Sequence, residues 1–130
     1  MSVIAIDTSA IVEVLVEGTH ARELRSKVDA ADLVMVTTLA KAEAALVLMG
    51  RFSWQRMTFD RAWRALGLSE VPIDTAIADL AIGAFEAWGK GRHKAGLNFG
   101  DCFSYALARQ QDLPLLFIGD DFAQTDIAAA

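Results

Sequence analysis

Five acidic residues of this sequence have the type and the surroundings to do chemistry together: Asp7, Glu43, Asp101, Asp120 and Asp121. Carboxylate oxygens gathered in one place hold hard divalent cations such as Mg²⁺ or Mn²⁺, whereas Zn²⁺ prefers ligand sets that include His or Cys. Neither histidine of the chain stands at a metal-ligand spacing from a second ligand. Because a cation held by carboxylates can activate water, we expect a hydrolytic site that depends on Mg²⁺ or Mn²⁺.

Two of these acids also have a purely structural explanation. Asp7 follows a short apolar stretch and can cap the helix after it, although Thr8 and Ser9 could cap that helix equally well. Asp101 stands three residues after Asn98, at a helical position where a capping-box acid is favoured. Capping and metal binding can coexist in one carboxylate, so both explanations stay open for Asp101.

The pair Asp120 and Asp121 follows an apolar stretch and Gly119. Adjacent carboxylates repel each other unless a cation lies near them. An exposed turn is the structural alternative, and Gly119 fits a turn. The sequence leaves open which of the two acids lies closer to a metal.

Glu43 lies in a helical stretch that is apolar nearly all round. It shares one face with Leu39 and Leu46 by the i, i+4, i+7 spacing, and mostly small or apolar residues line the other faces. A buried carboxylate without a partner is costly. We therefore expect Glu43 to meet a metal ion or a basic group from another segment, unless it reaches water at the edge of the buried face.

Short apolar strands alternate with helices along the chain, which is the pattern of a parallel sheet covered on both faces. Sites in such sheets form at the carboxyl ends of the strands, so the acids are expected to gather at one sheet edge, with Glu43 projecting in from a covering helix. The predicted strands are Val3–Ile6, Leu33–Val36, Val71–Ile73, Leu115–Ile118 and a last short strand at Ile127. The predicted helices run from Thr8 or Ser9 to Leu15, from Thr19 to Asp29, from Thr37 or Thr38 through Met49, and over Ser53–Leu66, Asp74–Trp88 and Phe99–Gln110.

Length and composition favour one domain over residues 1–130, because 54% of the residues are hydrophobic and can form a core without covalent staples. Cys102 is the only cysteine, which excludes an internal disulfide and favours a reducing cytosol. The first apolar stretch has no basic region before it and is interrupted by Asp7, so it predicts a buried strand rather than a signal peptide. The densest apolar run, Ala44 to Met49, is too short to cross a bilayer.

The net charge of −5 taken alone disfavours nucleic acid as a partner, because phosphate binding depends on Lys and Arg. Net charge does not show where the charges lie, however. Two basic clusters stand out, one that includes Arg51 and Arg56 and one that includes Lys90, Arg92 and Lys94. Either group is also compatible with an ordinary solvated surface. The residues that we select as candidates for RNA contact are Arg51, Arg56, Lys90, Arg92 and Lys94.

Several segments of the chain resemble the PIN-domain toxins of the VapC type, and the resemblance extends from about Val3 to Ile127. Their order and spacing, rather than any single motif, carry the resemblance. The matching segments are Ile6–Ala10, the helix start Thr37–Ala44 with Glu43, the basic loop Gly89–Gly96, the stretch Leu97–Ala108 with Asp101, and Leu115–Phe122.

The resemblance implies a three-layer α/β/α sandwich with a mostly parallel central sheet. It implies RNA cleavage with Mg²⁺ or Mn²⁺, leaving 5′-phosphate and 3′-hydroxyl ends, a cognate antitoxin of the VapB type, and usually a homodimer. Residue by residue, Asp7, Glu43, Asp101 and Asp120 match the four acidic positions of the family, and Asp121 is a supporting ligand. Thr8 and Ser9 match a hydroxyl-bearing position that orients the first acid or a water on the metal.

Two other classes of protein remain to be weighed. A haloacid-dehalogenase-like phosphatase requires a second Asp two residues after the first, where this chain has Ser9, and a receiver-like domain requires an early acidic pair and a late Lys that are not in place here. A non-catalytic PIN-like binding module is expected to lack one or more of the acids. Since all four acidic positions are filled, the sequence favours an active nuclease.

Overall fold

Four short apolar strands form one parallel sheet in the order β3-β2-β1-β4 in the computed structural model, which describes residues 1–130. Ala5 of the first strand pairs with Met35 on one side and with Leu115 on the other. The first strand therefore has a neighbour on both sides. The strands are β1 (Val3–Ile6), β2 (Leu33–Thr37), β3 (Ser69–Val71) and β4 (Leu115–Leu116).

Six α-helices cover the two faces of the sheet, and none of them has both the length and the apolar character needed to cross a membrane. They are α1 (Thr8–Leu15), α2 (Ala21–Ala30), α3 (Thr38–Arg51), α4 (Arg56–Leu66), α5 (Thr75–Trp88) and α6 (Phe99–Gln111), and a short 3₁₀ helix follows at Phe122–Gln124. Helices α1 to α4 pack on one face and α5 and α6 on the other. The expected α/β/α sandwich with a parallel sheet is thus confirmed.

The alternation of side chains in β1 shows why both faces are apolar. Ile4 and Ile6 belong to the core under α1 to α4, whereas Ala5 belongs to the core under α5 and α6. Successive side chains of a strand point to opposite faces, so a strand covered on both sides must be apolar throughout. The first charged residue, Asp7, comes directly after the last pair in the ladder and marks the carboxyl edge of the sheet.

Three strand predictions need correction. The third strand ends at Val71 instead of beginning there, because Pro72 cannot donate a backbone hydrogen bond to a ladder. The fourth strand stops at Leu116 instead of Ile118, whose backbone N–H donates to the hydroxyl of Ser9. The predicted strand at Ile127 is absent, and the C-terminal tail instead meets β4 through one bridge at Ala129.

Two helix starts were also predicted too early. The second helix begins at Ala21 rather than Thr19, and the fourth begins at Arg56 rather than Ser53. Ser53 has a φ of 59°, which is a left-handed conformation that cannot start a right-handed helix. Helix α3 continues past Met49 to Arg51, so Gly50 does not end it.

Candidate active site

Asp7 joins β1 to α1 and is almost completely buried, with 3% of its surface exposed. Its backbone N–H donates to the carbonyl of Leu116 in β4 (2.9 Å), and its Oδ2 caps α1 by accepting from the N–H of Ser9 (3.0 Å). The other carboxylate oxygen, Oδ1, is buried and has no hydrogen-bond partner. A buried oxygen without a partner is costly, so this atom calls for a donor or a cation.

Glu43 is half-buried and reaches the same edge of the sheet from the second turn of α3. Its Oε1 accepts a hydrogen bond from Oγ1 of the buried Thr8 at 2.6 Å. Its carboxylate also lies directly against Gly100 of α6, where a Cβ atom would overlap both carboxylate oxygens. Glu43 is therefore partly exposed, and the groups that it contacts are a threonine hydroxyl and a glycine rather than a basic residue.

Asp101 completes a capping box at the start of α6. The backbone N–H of Asn98 donates to Oδ2 of Asp101 (3.0 Å), and the backbone N–H of Asp101 donates to Oδ1 of Asn98 (2.9 Å). The structural explanation of Asp101 is thus correct. It leaves one carboxylate oxygen of Asp101 outside the capping box, so a second role is still possible.

The pKa of Asp101 is raised to about 6, mainly because burial disfavours the charged form. The negative charges of Asp7, Asp121 and Glu43 raise the pKa further, and the hydrogen bond from the N–H of Asn98 opposes the shift. The four carboxylates are therefore near enough to repel one another. Such a group becomes favourable when a cation lies among its members.

Asp120 and Asp121 both lie on the exposed turn between Gly119, whose φ is 102°, and the 3₁₀ helix. The charge of Asp121, and not that of Asp120, contributes to the raised pKa of Asp101. The turn is tied to the site because Oγ of Ser9 accepts from the N–H of Ile118 (3.1 Å). Of the two adjacent acids, Asp121 is thus the one whose charge acts on the cluster.

The two hydroxyl residues that follow Asp7 have different tasks. Thr8 orients Glu43 rather than Asp7, and the hydroxyl of Ser9 holds the turn that carries the acidic pair. Only the backbone N–H of Ser9 orients Asp7. The resemblance implied that a hydroxyl at this position orients the first acid or a water on the metal, whereas neither hydroxyl contacts the Asp7 carboxylate here.

The donor set fits a hard divalent cation. All candidate ligands are carboxylate oxygens, and Oδ1 of Asp7 is a buried oxygen without a donor. No three His, Cys, Asp or Glu side chains stand close enough to hold one ion without movement. Mutual repulsion keeps carboxylates apart when no cation lies between them, so rotation of one or two side chains is needed for a common coordination sphere.

The candidate RNA-contacting residues lie in two separate places. Lys90, Arg92 and Lys94 are exposed on the loop between α5 and α6, and the guanidinium of Arg92 lies 5.4 Å from the ring centre of Phe85. Backbone bonding between Gly89, Lys90 and Leu97 closes this loop next to the start of α6. Arg51 and Arg56 belong to the opposite helical layer, where they lie at the end of α3 and at the start of α4.

Arg56 is also paired with Asp60 through an i, i+4 salt bridge of 2.9 Å. The four-residue spacing of these two side chains on α4 is enough to explain the pair. The structure therefore brings the loop cations, rather than the cations of α3 and α4, next to the helix that carries Asp101.

Gly100 is a site residue that sequence reasoning passed over. It is buried at the second position of α6, between Asn98 and Asp101, and its missing side chain leaves the space that the Glu43 carboxylate fills. A glycine inside a helix start is unfavourable by propensity, which is the one signal in the sequence that could have marked it.

Comparison with known proteins agrees with this geometry. A family model described as PIN domain matches residues 4–128. The chain is 41% identical over 124 residues to the ribonuclease VapC30 of Mycobacterium tuberculosis, covering 95% of each protein. It is also 41% identical over 125 residues to a ribonuclease VapC of Mycolicibacterium smegmatis, covering 95% of this chain and 97% of that protein.

Two solved structures share the fold. VapC20 of Mycobacterium tuberculosis, described as a toxin that cleaves the sarcin-ricin loop, superimposes with a TM-score of 0.77 over 98% of each chain at 14% identity. A toxin–antitoxin complex from Klebsiella pneumoniae matches with a TM-score of 0.73 over 98% of this chain and 96% of that chain at 18% identity. The sequence match, the shared fold and the acidic residues at the sheet edge agree. The chain therefore belongs to the PIN-domain family, and its similar relatives in that family are VapC ribonucleases.

Proposed function

We propose that this protein is a metal-dependent endoribonuclease and the toxin of a type II toxin–antitoxin pair, with residues 1–130 acting as one PIN domain. The family membership and the names of its relatives support this function. The observation that carries it is Oδ1 of Asp7, a buried and unpartnered oxygen that stands among the charges of Glu43, Asp101 and Asp121. A structural role for Asp7 would not require leaving that oxygen unsatisfied.

In this proposal Asp7, Glu43, Asp101 and the pair Asp120–Asp121 hold Mg²⁺ or Mn²⁺, with Asp121 favoured over Asp120. Held by these carboxylates, such an ion would supply activation of a water molecule and stabilisation of charge on the phosphodiester. Asp7, Glu43 and Asp101 each have one oxygen fixed and another available. Ser9 fixes Oδ2 of Asp7, Thr8 fixes Oε1 of Glu43, and Asn98 fixes Oδ2 of Asp101.

Proton transfer from the attacking water falls to one of these carboxylates, and Glu43 is our candidate. Its Oε2 accepts no hydrogen bond, whereas its Oε1 is held by Thr8. A fixed side chain with one free oxygen is suited to accept a proton at a defined place. No covalent intermediate is required.

RNA must approach an acidic edge, so cations near that edge have to bind its phosphates. Lys90, Arg92 and Lys94 are our candidates because their loop leads directly into α6. Arg51 and Arg56 stay weaker candidates, since they lie on the other helical layer and Arg56 already pairs with Asp60.

We also propose a VapB-type antitoxin, a homodimer and a cytoplasmic location. The fold shared with a toxin–antitoxin complex supports the first partner. For the homodimer we select the apolar groove between α5 and α6, where Ile82 and Phe99 are 62% and 72% exposed. The rim of that groove carries Glu86 and Arg92, which would pair across a two-fold axis. The lone buried thiol of Cys102 is compatible with a reducing compartment.

The deciding experiment is cleavage of total RNA by the purified protein, freed of any partner, with Mg²⁺ and with EDTA. Wild type, Asp7→Asn and the control Asp79→Asn, an exposed acid of α5, are compared. Discrete fragments from wild type and from Asp79→Asn, and none with EDTA or from Asp7→Asn, are expected. Intact RNA from a folded, metal-loaded wild type would contradict the proposal and favour a non-catalytic binding module.

A further inference from the structure

Glu43 is the only acid of the site whose orientation depends on side chains from elsewhere in the chain. Asp7 and Asp101 are oriented by amides of their own helix starts, one to three residues away in sequence. Glu43 instead accepts from Thr8, which lies 35 residues earlier. A side chain in the middle of a helix has no local cap, so its orientation requires such a distant partner.

Thr8 makes this contact although it could have served as a helix cap. Asp7 occupies the capping position, so the hydroxyl of Thr8 is not needed as a cap and donates to Glu43 of α3 instead. Thr8 is 8% exposed, and its bond to Oε1 of Glu43 is short, at 2.6 Å. A buried hydroxyl bound to an ionised carboxylate makes a strong hydrogen bond.

Gly100 limits the same carboxylate from the opposite side. The Glu43 carboxylate fills the place where any Cβ at position 100 would stand. This contact does not arise from backbone strain, since Gly100 has no positive φ. Five other glycines of the chain, among them Gly83 of α5, have open space at the same place.

We propose that Thr8 and Gly100 are positioning residues that together fix Glu43: Thr8 by donating to Oε1, and Gly100 by leaving room for the carboxylate beside Asp101. The inference rests on the proposed function, because it treats Glu43 as a ligand of the metal. Three elements thereby meet at one carboxylate, namely the β1–α1 junction, α3 and the start of α6. Neither Thr8 nor Gly100 needs to contact metal or RNA.

The variants separate positioning from folding. Thr8→Val keeps the shape and loses the donor, whereas Thr8→Ser keeps the donor. Gly100→Ala adds one methyl group, which the flexible Glu43 side chain can avoid by turning away. Alanine is also better than glycine in a helix, so we expect the urea midpoint of Gly100→Ala to be equal to or above that of wild type. Gly83→Ala is the matched control.

The primary measurement is the affinity for Mn²⁺ alone, by electron paramagnetic resonance of the free ion. We expect Thr8→Val and Gly100→Ala to bind Mn²⁺ roughly 10- to 100-fold more weakly than wild type, which is the usual effect of losing a group that orients a ligand. Thr8→Ser and Gly83→Ala should bind within about twofold of wild type. Catalytic rates with saturating Mn²⁺ then show whether metal binding accounts for the whole loss.

A second background shows whether the effect passes through Glu43. In Glu43→Gln, whose side chain is a poor metal ligand, adding Thr8→Val or Gly100→Ala should leave Mn²⁺ affinity unchanged, because coupled residues are not additive. The inference would be overturned if Thr8→Val bound Mn²⁺ as tightly as wild type. It would also be overturned if Thr8→Val or Gly100→Ala weakened Mn²⁺ binding in the Glu43→Gln background as much as it does in wild type. Neither result would contradict the proposed nuclease activity. Failure of wild type itself to bind Mn²⁺ would overturn the proposed function and this inference with it.

Discussion

Asp7 has the least satisfied polar group of the site, and that makes it informative about function. A residue kept only for stability would not bury an oxygen without a donor, whereas a metal ligand must leave one free. Only Oδ1 of Asp7 and the hydroxyl of Ser104 are buried without a partner in this structure. An unpaired buried oxygen at a functional site lowers stability, and such groups are a usual source of the trade-off between stability and activity.

The first prediction concerns this trade-off. Asp7→Asn should abolish metal-dependent RNA cleavage, yet in EDTA it should melt at the same temperature as wild type or a few degrees higher. The amide can still accept from Ser9 and removes one negative charge from the cluster. A cleavage assay with Mg²⁺ measures the first effect, and calorimetry in EDTA measures the second. A clear drop in the melting temperature in EDTA would show that Asp7 is mainly structural.

Asp101 gives the second prediction, which concerns pH. Its pKa is near 6 in the folded protein and near 4 in an unfolded chain, so folding favours the protonated form. The metal-free protein is therefore stabilised by this group at low pH and loses that stabilisation as the pH rises from about 4 through about 6. Asp101→Asn keeps a side-chain oxygen for the N–H of Asn98 and cannot ionise.

Urea unfolding in EDTA at pH 5 and at pH 7.5 tests that expectation. The stability of Asp101→Asn relative to wild type should be greater at pH 7.5 than at pH 5. A difference that is constant between the two pH values would mean that the pKa of Asp101 is not raised in the folded protein. Added Mg²⁺ should reverse the order at pH 7.5, since wild type then gains a ligand-binding contribution.

At the scale of elements, the junctions rather than the strands bring the acids together. Each acid stands near the beginning of a helix or on a turn that follows a strand, and all of these places lie at the carboxyl edge of the sheet. The alternation of strands and helices in the sequence was therefore sufficient to predict the sheet. That the acids at its carboxyl edge form one metal site stays a prediction, because no three of them stand close enough to hold one ion.

The contacts between elements could not be predicted in the same way. That Glu43 of α3 lies against Gly100 of α6 depends on how two helices pack across the sheet edge, which no periodicity of either helix contains. The choice between Asp120 and Asp121 likewise depends on the course of one exposed turn. The predicted strand at Ile127 was wrong because one apolar residue among small ones does not make a ladder. The tail is held instead by one backbone bridge to Leu115 and by side-chain bonds.

The third prediction concerns those bonds of the tail. The hydroxyl of Tyr105 in α6 donates to Asp126 (2.6 Å) and accepts from the indole N–H of Trp88 (3.3 Å). Tyr105→Phe removes both hydrogen bonds, although Asp126 keeps its contact with Arg109, so we expect a loss of about 1–3 kcal/mol in the free energy of unfolding. Amide exchange should increase selectively in residues 126–130. An increase spread evenly over the sheet would contradict this local role.

At the scale of the whole molecule, one apolar groove stands out on the surface. It lies between α5 and α6, has a volume of about 410 Å³ and is lined mainly by apolar side chains, including Phe85, Phe99 and Phe103. Phe99 and Phe103 stand four residues apart on one side of α6, whereas Asp101 lies between them in sequence and thus on the other side. A partner seated in this groove would therefore leave the carboxylates open.

The fourth prediction follows from that separation. Ile82→Asp should convert the proposed homodimer to a monomer in analytical ultracentrifugation, because a charge in an apolar interface is costly. Its Mn²⁺ affinity should stay within about twofold of wild type. Met57→Asp on α4, which is equally exposed but lies on the opposite layer, is the control and should stay dimeric. An Ile82→Asp protein that remains a dimer would exclude the α5–α6 groove as the interface.

The position of β4 beside β1 has a consequence during synthesis. Leu116, whose carbonyl accepts from the backbone N–H of Asp7, and Asp121 leave the ribosome more than a hundred residues after Asp7. A nascent chain that is still missing these residues lacks one wall of the site and part of its charge. The carboxyl edge of the sheet is therefore complete only when the segment from Leu116 to Asp121 is free to fold against β1.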